Sequence, residues 1–98
     1  MNTAAIQSHS NTAEMLRTRL SDLTPVVFEL DDDSAQHAGH AGAAGGAGHF
    51  SLLIVSEQFA GLSRLARHRA VLDRVGDLIP YPVHALAIRA CTPDEFPS

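Results

Sequence analysis

The side chains that could do chemistry here are six histidines, one cysteine, a run of aspartates and seven arginines with no lysine. His37 and His40 stand three apart in a tract of Asp, Ser, Ala and Gly. Together with His49 or His84 they have the donor type of a zinc site, although a glycine-rich tract gives such spacing little geometric meaning. Asp31-Asp32-Asp33 reads as a solvated acidic run or a weak cation site. Cys91 stands alone, as a small residue suited to a buried apolar position. With one cysteine no internal disulfide forms, which suits a reducing, cytoplasmic compartment. No nucleophile has a base in recognisable context, so the expectation is not an enzyme and no small-molecule substrate.

The arginines are unevenly placed. Residues 1–63 hold two arginines against seven acids, a net −5, and residues 64–98 hold five against four, a net +1. A protein that neutralises many phosphates carries a clear basic excess, and a net charge of −4 argues against that role. Arg64, Arg67, Arg69 and Arg74 nevertheless share one helical stretch, where they form a solvated face or a surface for a partner or nucleic acid. Gly39 to Gly42 and Gly42 to Gly45 match the G-X-X-G pattern that clamps nucleotides, but only trivially, in a glycine-rich segment beside acids.

The elements that position these groups follow from periodicity. Residues 1–10 read as a flexible N-terminal arm, and 11–98 as one domain, the size that 98 residues support. Asn11 and Glu14 form a capping box, and Ala13, Leu16, Leu20 and Leu23 repeat at helical spacing, predicting a helix over 11–23 that ends before Pro25. Val26 to Leu30 is a strand by composition, with Val26, Phe28 and Leu30 on one face. Residues 32–48 hold no large apolar side chain and form a long flexible loop rich in His, Gly and Ala. His49 to Ser56 is a second strand, pairing as a hairpin with the first. Ser63 caps a helix over 63–79 with Leu65, His68, Leu72, Val75 and Ile79 on its buried face. Pro80 and Pro82 end it. Val83 to Ala90 is a third strand, expected parallel to the second after a helical crossover. Thr92, Pro93 and Glu95 open a short terminal helix. The fold class is therefore α+β, ordered α-β-β-α-β-α, with a three-stranded mixed sheet and helices on one face. No apolar run approaches the length of a membrane span, and residues 1–15 lack the pattern of a signal peptide.

Three segments together resemble the BolA family. Phe59-Ala-Gly-Leu-Ser-Arg-Leu-Ala-Arg-His-Arg69 is similar to its F-x-G-x-x-x-x-x-R-H-R signature, Val83 to Ile88 to its V-H-A-L-x-I strand, and Thr92 to Phe96 to its T-P-E-E-W ending. His49-Phe50 also matches the pair that opens the family's second strand. The resemblance runs from about residue 12 to the end. Leu72 and Cys91 stand where the family often has tyrosine, Phe96 stands for a common tryptophan, and the loop between the first two strands is longer here.

The resemblance implies a class II KH-like fold, a monothiol glutaredoxin as partner, and a 2Fe-2S cluster shared with that glutaredoxin and its glutathione. It also implies, as an alternative, a DNA-binding transcriptional regulator using the arginine-rich helix 63–79. Imidazole can replace thiolate on one iron of such a cluster. One cysteine and scattered histidines do not make a four-ligand set, so this chain would supply one or two imidazoles and the partner the thiolates. On the family match His84 is a metal ligand. His37 follows an acidic stretch like the one before the family's loop histidine, and His40 is its rival by its distance from His49. His49 and His68 are expected to be structural, and His9 to be a surface residue.

Overall fold

The computed structural model describes residues 4–33 and 48–96. Helix α1 (Ala4–Leu20) leads through a 3-10 turn, Ser21–Leu23, to strand β1 (Val27–Asp32). Strand β2 (Gly48–Val55), a 3-10 turn at Glu57–Phe59, helix α2 (Arg64–Val75), a 3-10 turn at Gly76–Leu78 and strand β3 (Val83–Cys91) follow. The expected loop over 32–48 lies almost wholly outside the described residues.

Strand β2 is central, antiparallel to β1 and parallel to β3. Its alternation is regular: Phe50, Leu52 and Ile54 are buried, while His49, Ser51 and Leu53 are half-buried on the opposite face. The inner face packs against Leu16, Leu20 and Leu23 from the α1 end and against Val71 and Val75 of α2. Phe28 and Leu30 of β1 and Leu86, Ile88 and Ala90 of β3 complete this layer. Both helices thus lie on one face of a mixed sheet, as the α+β reading expects.

Three expectations are corrected. Helix α1 begins at Ala4 and not at the expected residue 11, so the arm, which was expected able to become helical, joins it from residue 4, and Asn11 is exposed within the helix. Residues 4–10 contain no Gly or Pro, and an interior asparagine costs only about 0.5 kcal/mol relative to alanine, so the capping pattern does not compel a start. In α2 the buried positions are Val71 and Val75, continued by Leu78, whereas Leu65 is 58% exposed and His68 is also exposed. Spacing alone set the face a little off, because the first turns of α2 border a groove instead of covering the sheet. Thr92 to Phe96 forms a turn, not a helix. The capping contact is still made, with the Thr92 N–H donating to Glu95 Oε1 at 3.0 Å.

Two serines fix the chain's direction at element ends. Ser63 Oγ accepts the Ala66 N–H at 3.0 Å and caps α2. It follows Gly61, whose φ of +80° suits a residue without Cβ. Ser56 is fully buried; its hydroxyl donates to Leu23 O at 2.6 Å and accepts from Gln58 N at 3.0 Å, tying the end of α1 to the end of β2. Ser56→Ala leaves a carbonyl and an N–H in low dielectric, so it should destabilise by roughly 1–3 kcal/mol, at least as much as Ser63→Ala at about 1 kcal/mol. Urea unfolding of the two variants checks this order.

Candidate metal centre and arginine groove

The first candidate site is built where β3 begins. Gly48 pairs with Val83, but His49 pairs with Ala85, so β3 carries one extra residue at this step. That residue is His84. Such a β-bulge bends the strand and redirects a side chain. Val83 is fully buried, while both His84 and Ala85 are exposed. His84 therefore points outward at the sheet end, as a ligand must.

The ring next to it is His49, on the neighbouring strand. The two imidazole centroids are 5.0 Å apart, with planes tilted by 42°. The backbone around them is held by Gly48 N–H to Pro82 O at 2.9 Å and by Asp33 N–H to His49 O at 2.7 Å. The Asp33 carboxylate accepts from Ser51 Oγ at 2.5 Å. Asp33 and Gly48 are the two ends of the β1–β2 connection, which therefore leaves from and returns to this end of the sheet. His37 and His40 lie outside the described residues. From Asp33 the covalent chain allows them a reach of at most about 14 and 25 Å. Among the described residues no group of three or more His, Cys, Asp and Glu side chains could hold a metal ion. Two imidazoles fill at most half of a tetrahedral site.

The second candidate site lies at the other end of β3. A groove of about 660 Å³ is lined by Arg64, Arg67 and His68 of α2, by Arg89 and Cys91 of β3, and by Glu95. Cys91 is buried, as expected of it. Arg67 is the clamp of this region. It donates to Leu62 O at 3.0 Å, to Ala90 O at 3.2 Å, and to both Glu95 carboxylate oxygens at 2.5 and 3.1 Å. These bonds from Arg67, joined by the Thr92 N–H, hold the Glu95 carboxyl down at about 2. Arg74 is likewise occupied, with Asp22 Oδ1 and Oδ2 at 2.9 and 3.1 Å and Ala70 O at 2.7 Å. Of the four arginines singled out, Arg67 and Arg74 thus join parts of the fold, and Arg64 and Arg69 are exposed. Sequence reasoning missed Arg89, and it did not place His49, read as structural or as an alternative zinc donor, beside His84. Only the strand register, which places Ala85 beside His49 and Arg89 beside Leu53, brings them to these sites.

The model of the family described as BolA-like protein matches residues 20–95. This chain belongs to the BolA family. It is 44% identical over 82 residues to human BolA-like protein 1, covering 83% of this chain and 58% of that one, so it spans little more than half the human relative's length. It is 34% identical over 84 residues to the DNA-binding transcriptional regulator BolA of Vibrio cholerae, covering 85% of this chain and 76% of that one. The solved structure of BolA1 from Arabidopsis thaliana superposes with a TM-score of 0.73 at 35% identity, over 87% of this chain and 95% of that one. No described helix of this BolA-family chain is long and apolar enough to cross a membrane.

The clamp has a pH signature. Glu95 titrates near 2 in the fold against an ordinary 4.5. The stabilisation from its pairing with Arg67 is therefore complete above 4.5 and is lost as pH falls through about 2. Carboxyl-carbon NMR of Glu95 should show this low midpoint, and in Arg67→Met the midpoint should rise towards 4.5.

Proposed function

We propose that this BolA-family chain is a non-enzymatic adaptor that binds a monothiol glutaredoxin and shares a 2Fe-2S cluster with it, in cluster assembly, trafficking or iron sensing in the cytoplasm. The cluster is cargo held between two proteins. The glutaredoxin cysteine and its glutathione supply thiolates, and this chain supplies imidazole in place of the remaining thiolates. The observation that carries the reading is His84: an exposed imidazole redirected by a bulge at an open strand end, beside a second histidine. His37, His40 and His49 are the sources of a second imidazole, all attached at the same end of the sheet.

The experiment is co-reconstitution of the apo protein with a monothiol glutaredoxin, glutathione, iron and sulfide, followed by visible absorption and circular dichroism. The parent is expected to give a heteromeric complex with a visible dichroism spectrum distinct from that of the glutaredoxin alone. His84→Ala should lose that spectrum, and an identical spectrum with equal complex stability would remove His84 as a ligand.

A second reading is supported by the name of the Vibrio cholerae relative and by the exposed Arg64 and Arg89 at the groove: binding of duplex DNA through the α2 end of the molecule. It expects binding that weakens steeply with salt and weakens further in Arg64→Ala/Arg89→Ala. No binding at low salt would eliminate it.

A further inference from the structure

We infer that the free edge of β3 is a docking site for an extended, acidic segment of a partner protein, which adds as a fourth strand with a carboxylate between Arg64 and Arg89. The inference does not depend on the cluster-sharing reading. Strand β3 has β2 on one side and, among the described residues, no strand on the other. Cys91 O accepts the Ser56 N–H at 2.9 Å, so the main-chain groups of Cys91 face β2. The register runs unbroken from the pair His49 and Ala85 to the pair Val55 and Cys91, and main-chain directions alternate along a strand. Ala87 and Arg89 therefore also bond to β2, while Leu86, Ile88 and Ala90 turn their N–H and C=O groups to the open edge.

The edge is closed only at its ends. Arg67 Nη1 donates to Ala90 O at 3.2 Å, and the Thr92 N–H donates to Glu95 Oε1 at 3.0 Å. The Arg67–Glu95 pair thus stops the edge at its carboxyl end, as the bulge at His84 does at its start. Exposed edges are ordinarily guarded by charge, proline or a bulge. Between the bulge and the clamp β3 carries no proline and no charge but Arg89. The N–H and C=O of Leu86 and Ile88 and the N–H of Ala90 stay open.

The groove decides which kind of strand fits. Its described lining comes from the α2 side and from Ile88 to Cys91, with no residue of β1 or β2, so it follows the open edge. Arg67 is paired with Glu95, whereas the exposed Arg64 and Arg89 have no ionic partner among the described residues. A carboxylate between them meets two guanidiniums able to bond it bidentately, and an apolar neighbour meets the exposed Leu62 and Ile88. Strand addition takes its affinity from main-chain bonds and its specificity from alternate side chains. The open edge offers donors and acceptors in turn, as an amide chain does. Phosphate oxygens only accept, which leaves the Leu86 and Ile88 carbonyls unanswered.

The probes are short blocked peptides in which valine alternates with glutamate or with lysine, and an N-methylated form of the glutamate peptide. The readout is amide hydrogen exchange of the full chain by NMR. In the free chain the amides of Leu86, Ile88 and Ala90 should exchange faster than those of Ala87 and Arg89. Saturating glutamate peptide should slow the first three, and the lysine and N-methylated peptides should bind at least about ten-fold more weakly. Arg64→Gln/Arg89→Gln changes only exposed side chains and should bring the affinity for the glutamate peptide down to that for the lysine peptide. Absence of binding, unchanged exchange at the three amides with glutamate peptide bound, or equal affinity for the lysine peptide overturns the inference. Protection in the free chain that grows with its concentration assigns the edge to a second copy of this chain. Protection by duplex DNA but not by peptide assigns it to nucleic acid, and either result removes the proposal.

Discussion

The ladder between β2 and β3 begins out of step, and the rest of the molecule depends on that step. Gly48 stands opposite Val83, and the next residue of β2 stands opposite Ala85. In a regular strand Val83 and Ala85 would face the same way. The inserted His84 reverses the parity, so that Leu86, Ile88 and Ala90 pack on the core while Ala85, Ala87 and Arg89 face outward. Without the insertion a one-residue shift would turn the apolar set of the strand towards water. The same residue that corrects the packing register is thereby expelled from it, and an imidazole is left at the surface. Fold and candidate ligand share one local cause.

The two sites occupy opposite ends of one strand. His84 lies near the start of β3, and the groove is lined from Ile88 to Cys91, roughly 13–23 Å further along at strand rise. The parallel crossover explains the division. Helix α2 starts where β2 ends, so its first arginines stand over the carboxyl ends of β2 and β3, while the β1–β2 connection and its histidines stay at the amino end of β2. The exposed Arg64 and Arg89 and the exposed His84 are therefore separate in space. Charge changes at one need not disturb the other.

Much of this was legible in the residues. The apolar alternation of β2, the Ser63 cap and the strand that follows Pro25 appear as the sequence implies, and the V-H-A-L segment locates His84, whereas Val26, expected on the buried face of β1, is 62% exposed ahead of it, and α2 ends at Val75, short of the proline stop. What was not legible arises from contacts distant in the chain. That His84 lies beside His49 was not legible, because nothing near His49 in the chain reveals that the bulge brings His84 to it from the next strand. Arg67 and Arg74 read as free basic groups because their acids, Glu95 and Asp22, lie 28 and 52 residues away. His68 has the spacing of a buried residue, but spacing cannot tell where a helix runs past the edge of its sheet. Asn11 with Glu14 satisfied a local rule that a continuous run of helix-compatible residues overrode.

The clamp on Arg67 ties the groove to the end of the described chain. Its guanidinium already spends four of its five N–H donors on two carbonyls and a bidentate carboxylate. Freeing that cation would require Glu95 to leave, and with it the bond the same carboxylate accepts from the Thr92 N–H. Arg64 and Arg89, by contrast, are exposed at the groove. One carboxylate thus serves at once as the counter-ion of Arg67 and as the anchor of the final turn.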